Sequence, residues 1–396
     1  MMFKIKREQF IWEFTRIGKI PSIYKSIDFI NCKFTNNKQI TSNNSPVISI
    51  TLFPTFLKAN LVNESKYVLK KINHKNFSGA GVNVIKSNSI DDFLKQELKS
   101  QIRKNLNRTI TRLEKCFEIS YNYYFGSITE EKLSFLLSNL KLMLEKRFDQ
   151  KNMLNNFLSK WDINTKDLFN LINTKKASLF VVYDRDKPIS ISVNRHYNDT
   201  ILFSDINGYN LDYSKFGLGH LDNYLLVKWC IENEYKFLDL GNGVVEYKKR
   251  WCNTFYDFEY HIYYKKGSVT ALTLAYFEIF KINIKNTIKK LKVDDWVKRI
   301  LNKLKHKISN PKRENVKYIK PEITTFKELI NSNSFKLINI DNSEYHNIRE
   351  HIYNQLYLKQ VNINNIKVYV QKDTPSTYFI KMPKETIKIV LTDYES

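Results

Sequence analysis

The sequence predicts a mixed α/β fold, a layer of strands and helices with a switch in strand direction. Two observations carry this. Between residues 117 and 264 the apolar runs come in the order strand, helices, three strands, helix, strand, strand, an order that belongs to a mixed layer. The chain also has 396 residues, 42% of them apolar, with 26 Phe and 24 Tyr. That is enough for sizeable cores in two or three domains of ordinary size.

Residues 1–90 alternate short apolar runs (SPVISITLFP, KYVLKKI, GVNVI) with Asn- and Ser-rich joints, so a small α/β or mostly β half is expected there. From Asp91 the period changes. Phe93, Leu94, Leu98, Ile102, Leu106, Ile110 and Leu113 recur every three or four residues, while Lys99, Arg103, Lys104, Arg108 and Arg112 fall mostly off that stripe. This is a helix with one packing face and one basic face. FEISYNYY (117–124) reads as a strand, and Thr129, followed by Glu130, Glu131 and Lys132, as the N-cap of a helix continuing through Leu144.

ASLFVVYD (177–184), PISISVNRHY (188–197) and TILFSDI (200–206) are three strand-length runs separated by polar turn residues, which predicts consecutive antiparallel strands. GLGHLDNYLLVKWCIEN (217–233) puts Leu221, Leu225, Leu226, Trp229 and Cys230 on one side of a helix. Residues 236–240 and 257–264 are two further strands. Beyond Val269 one helical pattern runs from Ala271 to Ile284 and a second from Trp296 to Leu304. Residues 281–320 hold 14 Lys/Arg against three acids, and the strand-like pieces FKLINI, IKVYVQ, TYFI and TIKIVL follow. The expected organisation is therefore 1–90, 91–265, a basic helical segment 266–320, and a small α+β appendage 321–396.

Lys plus Arg outnumber Asp plus Glu by 64 to 40, a formal charge of +24. Such a balance suits a phosphate-bearing partner such as nucleic acid, a nucleotide or an anionic membrane, and it equally suits a compositional bias, because Lys, Asn and Ile are abundant everywhere. Cys32, Cys116, Cys230 and Cys252 form no CxxC pair, which points to free thiols in a reducing compartment and against a zinc module. The first twenty residues lack a secretory apolar core, and no window of 18 residues is apolar enough to span a bilayer. A soluble, cytoplasmic chain without a metal site is expected, with peripheral membrane contact left open.

Six of the ten glycines lie between Gly208 and Gly267, where backbone must turn sharply or approach a ligand. In KFGLGHLDNYLL, Gly217 and Gly219 open a helix, and the free N–H groups of such a start can hold a phosphate. Neither a GxxxxGK[ST] run nor a dinucleotide fingerprint is present, which argues against kinase and classical dehydrogenase chemistry. Asp239, Gly241, Asn242 and Gly243 end the next strand. Asp239 is there either an acid or base, or an acceptor of local backbone hydrogen bonds. Glu246 is a candidate base if Trp251 and Tyr247 exclude water around it, or a surface partner of Lys248, Lys249 and Arg250. His220 is placed either to donate to a phosphate or acyl group or to sit in solvent. Cys252 has no assigned base, no GxSxG elbow appears, and no histidine pair has metal-ligand spacing.

From about Ala177 to Tyr264 the chain resembles the acyltransferases of the GNAT superfamily, in particular the CelD/BcsL-like cellulose-biosynthesis acetyltransferases and the related FemAB-type peptidyltransferases. The residues that carry this are Phe237-Leu238-Asp239, Gly241-Asn242-Gly243, Glu246-Tyr247-Lys248 and Arg250-Trp251, with the basic run SQIRKNLNRTITRLEK (100–115) upstream. The resemblance implies a GNAT-like mixed sheet flanked by helices, in a tandem arrangement whose first half is 1–90. It implies acetyl-CoA or another acyl-CoA as donor, its pyrophosphate over Lys215, Gly217, Leu218, Gly219 and His220. The resemblance fixes no one base; the roles read here are Glu246 as the base, directly or through water, Tyr247 as proton donor to the departing thiolate, Asp239 as the residue orienting the loop, and Asn242, Lys248, Arg250 and Trp251 at the acceptor. The acceptor would be an amino group or sugar hydroxyl of a small molecule or a cell-envelope or polysaccharide precursor. Ser214 stands where the family's pyrophosphate loop carries Arg or Gln, which leaves room for an aminoacyl-tRNA donor as in the FemAB-like relatives. A non-catalytic module with a basic surface is the third reading.

Overall fold

A computed structural model describes residues 5–29, 32–36, 45–150, 157–290, 318–327 and 334–394. The elements begin with β1 (Lys6–Gln9), α1 (Phe10–Ile17), β2 (Tyr24–Phe29), β3 (Cys32–Thr35), β4 (Val47–Pro54), β5 (Lys58–Leu61), β6 (Tyr67–Asn83) and α2 (Ile90–Glu97). Then come α3 (Ser100–Cys116), β7 (Ile119–Tyr124), α4 (Glu130–Gln150), α5 (Trp161–Thr165), α6 (Leu168–Asn173), β8 (Ala177–Asp184), β9 (Lys187–Tyr197) and β10 (Ile201–Tyr209). They are followed by α7 (Leu218–Glu232), β11 (Phe237–Asn242), α8 (Glu246–Trp251), β12 (Thr254–Lys265) and α9 (Val269–Lys290). The last elements are β13 (Tyr318–Phe326), β14 (Phe335–Ile338), α10 (His346–Lys359), β15 (Lys367–Gln371), β16 (Thr374–Lys381) and β17 (Thr386–Tyr394). Two compact units form: unit 1 is Met1–Leu98, Asn194–Asp205 and Leu226–Pro311, and unit 2 is Lys99–Val193, Ile206–Leu225 and Lys312–Ser396.

Unit 1 is built on a sheet in the order β1-β4-β12-β6-β11, with the start of β10 beside β11. β11 runs antiparallel to β6 but parallel to β10, so the expected switch in strand direction lies here. One face of the sheet carries an aromatic core of Phe10, Phe14, Tyr24, Phe53, Tyr197 and Phe258, with α1 and the small sheet β3-β2-β5 over it. Against the other face α9 packs Ala271, Ala275 and Ile282 onto Val47, Tyr260, Ile262 and Tyr264. Alternation along each strand explains the division: Val47 faces α9, whereas Ile48 and Ile50 face the aromatic core.

β6 differs from the expectation of two separate runs. It continues for 17 residues through NHKNFSGA because β12 and β11 both pair along it, and tertiary pairing overrides the weak strand preference of Asn and Gly. Its glycines are a packing requirement. A Cβ on Gly79 would run into the ring of Tyr256, and one on Gly81 into the ring of Phe237.

In unit 2 the strand order is β10-β9-β8-β7. Leu136, Leu140 and Leu144 of α4 and Leu168 and Ile172 of α6 form a core with Leu179, Val181, Ile191 and Val193. Thr129 accepts from the Lys132 N–H at 3.2 Å, as its capping position predicts. The single helix expected over 91–115 is two. Leu98 is buried in extended conformation (φ −104°, ψ 136°) between α2 and α3, and this breaks the helix. α10 shares an aromatic cluster with α3 and the 211–216 turn, formed by Phe117, Tyr213, Phe216, Tyr353 and Tyr357. The five strands β13-β17-β16-β15-β14 complete unit 2. The second helical pattern expected at 296–304, and most of the basic segment, lie outside the described residues.

Candidate functional site

The β10–β11 pairing has three matched positions, Ile201↔Phe237, Leu202↔Leu238 and Phe203↔Asp239, and ends there. On the other side of β11 the register against β6 shifts between Asp239↔Gly81 and Asn242↔Gly79, so Leu240 and Gly241 together oppose Ala80 alone. This is a β-bulge, a feature that re-aims side chains beside active sites. Gly241 meets its demand with φ +75°, a left-handed conformation costly for any residue with a Cβ.

Several contacts hold the turn. Asp239 Oδ1 accepts from the Gly241 N–H at 2.7 Å and from the Tyr256 hydroxyl at 2.7 Å. Gly243 donates to the Ser78 carbonyl at 2.8 Å. The Lys248 ammonium donates to the carbonyls of Gly241 at 3.2 Å and Asn242 at 2.8 Å. The sequence DLGNG followed by EYKKRW is thus a bulge tied down by its own aspartate and by a lysine from the next helix. Lys248 is buried, its pKa lowered by desolvation, so it braces the turn instead of standing as a surface cation.

Where the pairing ends a cavity of about 310 Å³ opens, lined among others by Phe77, Arg195, Phe203, Asp205, Asp239 and Tyr256. Arg195 and Asp205 form an ion pair at 3.0 Å, the arginine side chain only 5% exposed. Asp239 is 1% exposed, and burial raises its carboxyl to about 6 against the opposing pull of Tyr256, Gly241 and Lys248. Its Oδ2 has no hydrogen-bond partner among the described residues. A desolvated carboxylate with one unengaged oxygen, facing a cavity, has the attributes of a general base working near neutral pH.

The other expected site residues are distributed around this arrangement. Glu246 is fully exposed and bonds Lys249 at 2.7 Å, and that contact lowers its pKa. The desolvation expected at Glu246 is therefore found at Asp239. Tyr247 and Arg250 are exposed on α8, Asn242 is exposed at the end of β11, and Trp251 is buried. Cys252 is buried with its thiol pushed up to about 12 by desolvation, which makes it inert as a nucleophile.

In unit 2, Gly217 adopts φ +57° and its carbonyl accepts from the N–H groups of His220 and Leu221. α7 then begins at Leu218. By helix geometry the Leu218 and Gly219 N–H groups precede the first internal bonds of α7 and point along the positive end of its dipole. A Cβ on Gly219 would meet nothing closer than Tyr209 at 3.8 Å, so packing does not demand glycine there. Lys215 is exposed beside this turn and His220 is half-buried. Among the described residues no cluster of His, Cys, Asp or Glu is placed to hold a metal.

Residues 100–249 match the family model of the acetyltransferase (GNAT) domain. This stretch is GNAT-like. The relation is one of distant homology, and it gives the chain a mixed α/β, GNAT-like core and the general class of acyl-CoA-dependent transfer. No curated protein matches the chain. Solved structures give distant likenesses: FemX, at 10% identity over 55% of this chain and 72% of that one, TM-score 0.39; a conserved protein of unknown function from Bacteroides thetaiotaomicron, at 9% identity over 55% and 70%, TM-score 0.36; and a tandem GNAT protein from the clavulanic acid biosynthesis pathway, at 6% identity over 56% and 65%, TM-score 0.29.

The GNAT-like stretch contains Arg195, Asp205 and Asp239, whereas Phe77 and Tyr256 of the cavity lie outside it. Sequence reasoning missed Arg195, Tyr256, Gly79 and Gly81. For the glycines a signal was present, because SGAG inside a strand pattern puts two glycines on one face and asks what crosses there. For Tyr256 none was: it reaches Asp239 only because β11 and β12 both pair with the distant β6. Arg195 and Asp205 are ten residues apart on the consecutive strands β9 and β10, a pairing that the expected antiparallel strands made available.

Proposed function

We propose that the chain is an N-acyltransferase whose general base is Asp239 and whose donor is an acyl-CoA, acetyl-CoA being the first candidate. The observation that carries this reading is the desolvated Asp239 carboxylate, its Oδ2 without a partner among the described residues, in the lining of the cavity where the parallel β10–β11 pairing stops. Ionised above about pH 6, Asp239 takes one proton from an ammonium acceptor. The freed amine forms the C–N bond with the thioester carbonyl, the C–S bond breaks, one of the two remaining nitrogen protons goes to the departing thiolate, and the other stays on the amide nitrogen. Arg195 is paired with Asp205, and Asp239 is the other carboxylate of the cavity lining, which suits an amine better than a sugar hydroxyl. In unit 2, taken by itself, anion binding is assigned to the Leu218 and Gly219 N–H groups at the start of α7, with Lys215 adding positive charge, and the diphosphate of acetyl-CoA is the anion to test there. Glu246 and Tyr247, exposed on α8, are given no proton to move. An amino sugar or another cell-envelope precursor, as in the CelD/BcsL-like branch, is the acceptor class to screen first.

Calorimetry with acetyl-CoA on the wild-type chain and on Gly219→Asp, paired with turnover of Asp239→Asn, tests the two assignments separately. Saturable binding that survives high salt and is lost in Gly219→Asp supports the donor site. Wild-type binding with turnover reduced roughly a hundredfold or more in Asp239→Asn supports the base. Absence of acetyl-CoA binding at both low and high salt overturns the acyl-CoA reading and favours an aminoacyl-tRNA donor, whose binding falls steeply with salt.

A further inference from the structure

α9 has two apolar faces, and only one of them is packed. Ala271, Ala275 and Ile282 lie against the sheet of unit 1. On the opposite arc Val269, Leu272, Tyr276, Phe277, Phe280, Ile284 and Ile288 are all exposed, Phe280 at 61%, Tyr276 at 54% and Phe277 at 53%. At 100° per residue these seven fall within one half of the helix circumference, and 22 residues extend it for about 33 Å. An apolar stripe of this length on a soluble surface marks a contact with something.

Charge selects what. Lys281 and Lys285 are exposed along one border of the stripe, the Lys281 ammonium lying 4.5 Å from the centre of the Phe277 ring. The single acid of α9, Glu278, is on the buried face and bonded to Arg7 at 2.8 Å. The border is thus cationic without a counter-charge on the exposed face. In the sequence the 27 residues that follow, 291–317, add nine Lys/Arg against three acids. A second copy of this face, or the segment 291–317 folded back on it, would bring like charges together. An anionic surface would not. The stripe is also convex, a ridge along a cylinder, which suits insertion into a deformable boundary. Among the described residues no helix is long and apolar enough to cross a bilayer, so the geometry is that of a helix lying in the plane of the surface.

We propose that the exposed face of α9 docks the protein on an anionic lipid surface, its aromatic and aliphatic residues entering the headgroup boundary and its lysines pairing with lipid phosphates. This inference stands independently of the acyl-transfer reading.

The test is co-sedimentation of the full chain with phosphatidylcholine vesicles and with mixed phosphatidylcholine and phosphatidylglycerol vesicles, each at low and high salt. Phe277→Glu/Phe280→Glu is compared with Leu142→Glu, which changes an equally exposed apolar residue elsewhere. Circular dichroism and a thermal melt establish that each variant is folded. The expected result is binding to the mixed vesicles that weakens with salt, falls roughly tenfold or more in the double variant, and is unchanged in Leu142→Glu. Failure of the wild type to bind the mixed vesicles, or equal binding by the double variant, overturns the proposal. So does a wild-type dimer in light scattering that the double variant converts to monomer without any vesicle binding, because a second copy would then be the occupant.

Discussion

Asp239 in unit 1 and Asp222 in unit 2 are both buried aspartates, and desolvation raises both, to about 6 and about 7. Each also has one carboxylate oxygen without a partner among the described residues. Their surroundings differ. Asp239 faces a cavity lined by Arg195, Asp205 and Tyr256 and sits on a bulge fixed by Lys248. Asp222 lies on α7 with Ser192 and Asn207 facing it. A raised carboxyl is therefore no sign of chemistry by itself; what marks Asp239 is its place in the lining of a cavity, whereas the partners of Asp222 are Ser192 and Asn207.

The largest expected effect that sharpens this contrast is on turnover. Asp239→Asn should lose roughly a hundredfold or more, whereas Asp222→Asn should stay within a few-fold of wild type in the same steady-state assay. The wild-type kcat/KM should climb as pH rises through about 6, where Asp239 ionises, and this limb should vanish in Asp239→Asn. A wild-type profile flat across pH 5 to 8 would remove Asp239 from the reaction.

Next in size are the glycines under the cavity. Gly81→Val would force the Phe237 ring out of its place and should cost on the order of 3 kcal/mol in urea unfolding. Gly219→Ala, in open space, should cost less than about 1 kcal/mol. Equal losses at the two positions would break the argument that packing demands glycine at one and tolerates a side chain at the other.

Stability against pH gives a smaller effect. The native state holds the protons of both aspartates more tightly than the unfolded chain does. The stability this contributes is present at low pH and is lost as pH rises from the ordinary aspartate range through about 6 for Asp239 and about 7 for Asp222. Asp222→Asn should accordingly raise stability at pH 8 on the order of 2 kcal/mol and have little effect at pH 4. A melt that shifts equally at both pH values would show that packing, and not charge, is what changed. Smallest of all, Glu246→Gln should alter turnover less than about twofold, because its carboxylate is in solvent with Lys249.

The legibility of the sequence followed how local each cause was. Strands β8, β9 and β10, the Thr129 cap and the helix opening at Gly217 are set by residues within a turn or a strand length, and they were readable. The strand-direction switch was readable too, because helix α7 must separate β10 from β11 if the two run parallel. The protonation of the site was not. Whether Asp239 or Glu246 loses water depends on Tyr256, Phe77 and the β6 glycines, and no spacing in KFLDLGNGVVEYKKRWCNT carries that information. Lys248 reads as one of three consecutive surface cations until its ammonium is seen against two carbonyls. The break at Leu98 was hidden for the same reason: a leucine on the right period is helical unless a core elsewhere recruits it in extended form.

The long strand β6 also has a consequence for how the protein is made. Its two neighbours in the sheet, β11 and β12, begin at Phe237 and Thr254, whereas β6 ends at Asn83. On a ribosome adding about 5–20 residues per second, the strand waits roughly 8–30 s for its first partner. Throughout that interval both of its edges are open to any other nascent chain. Lys70, Lys71 and Lys75 give copies of the strand a reason to repel one another, and chaperone capacity during synthesis, more than the stability of the finished fold, should limit the yield of soluble protein.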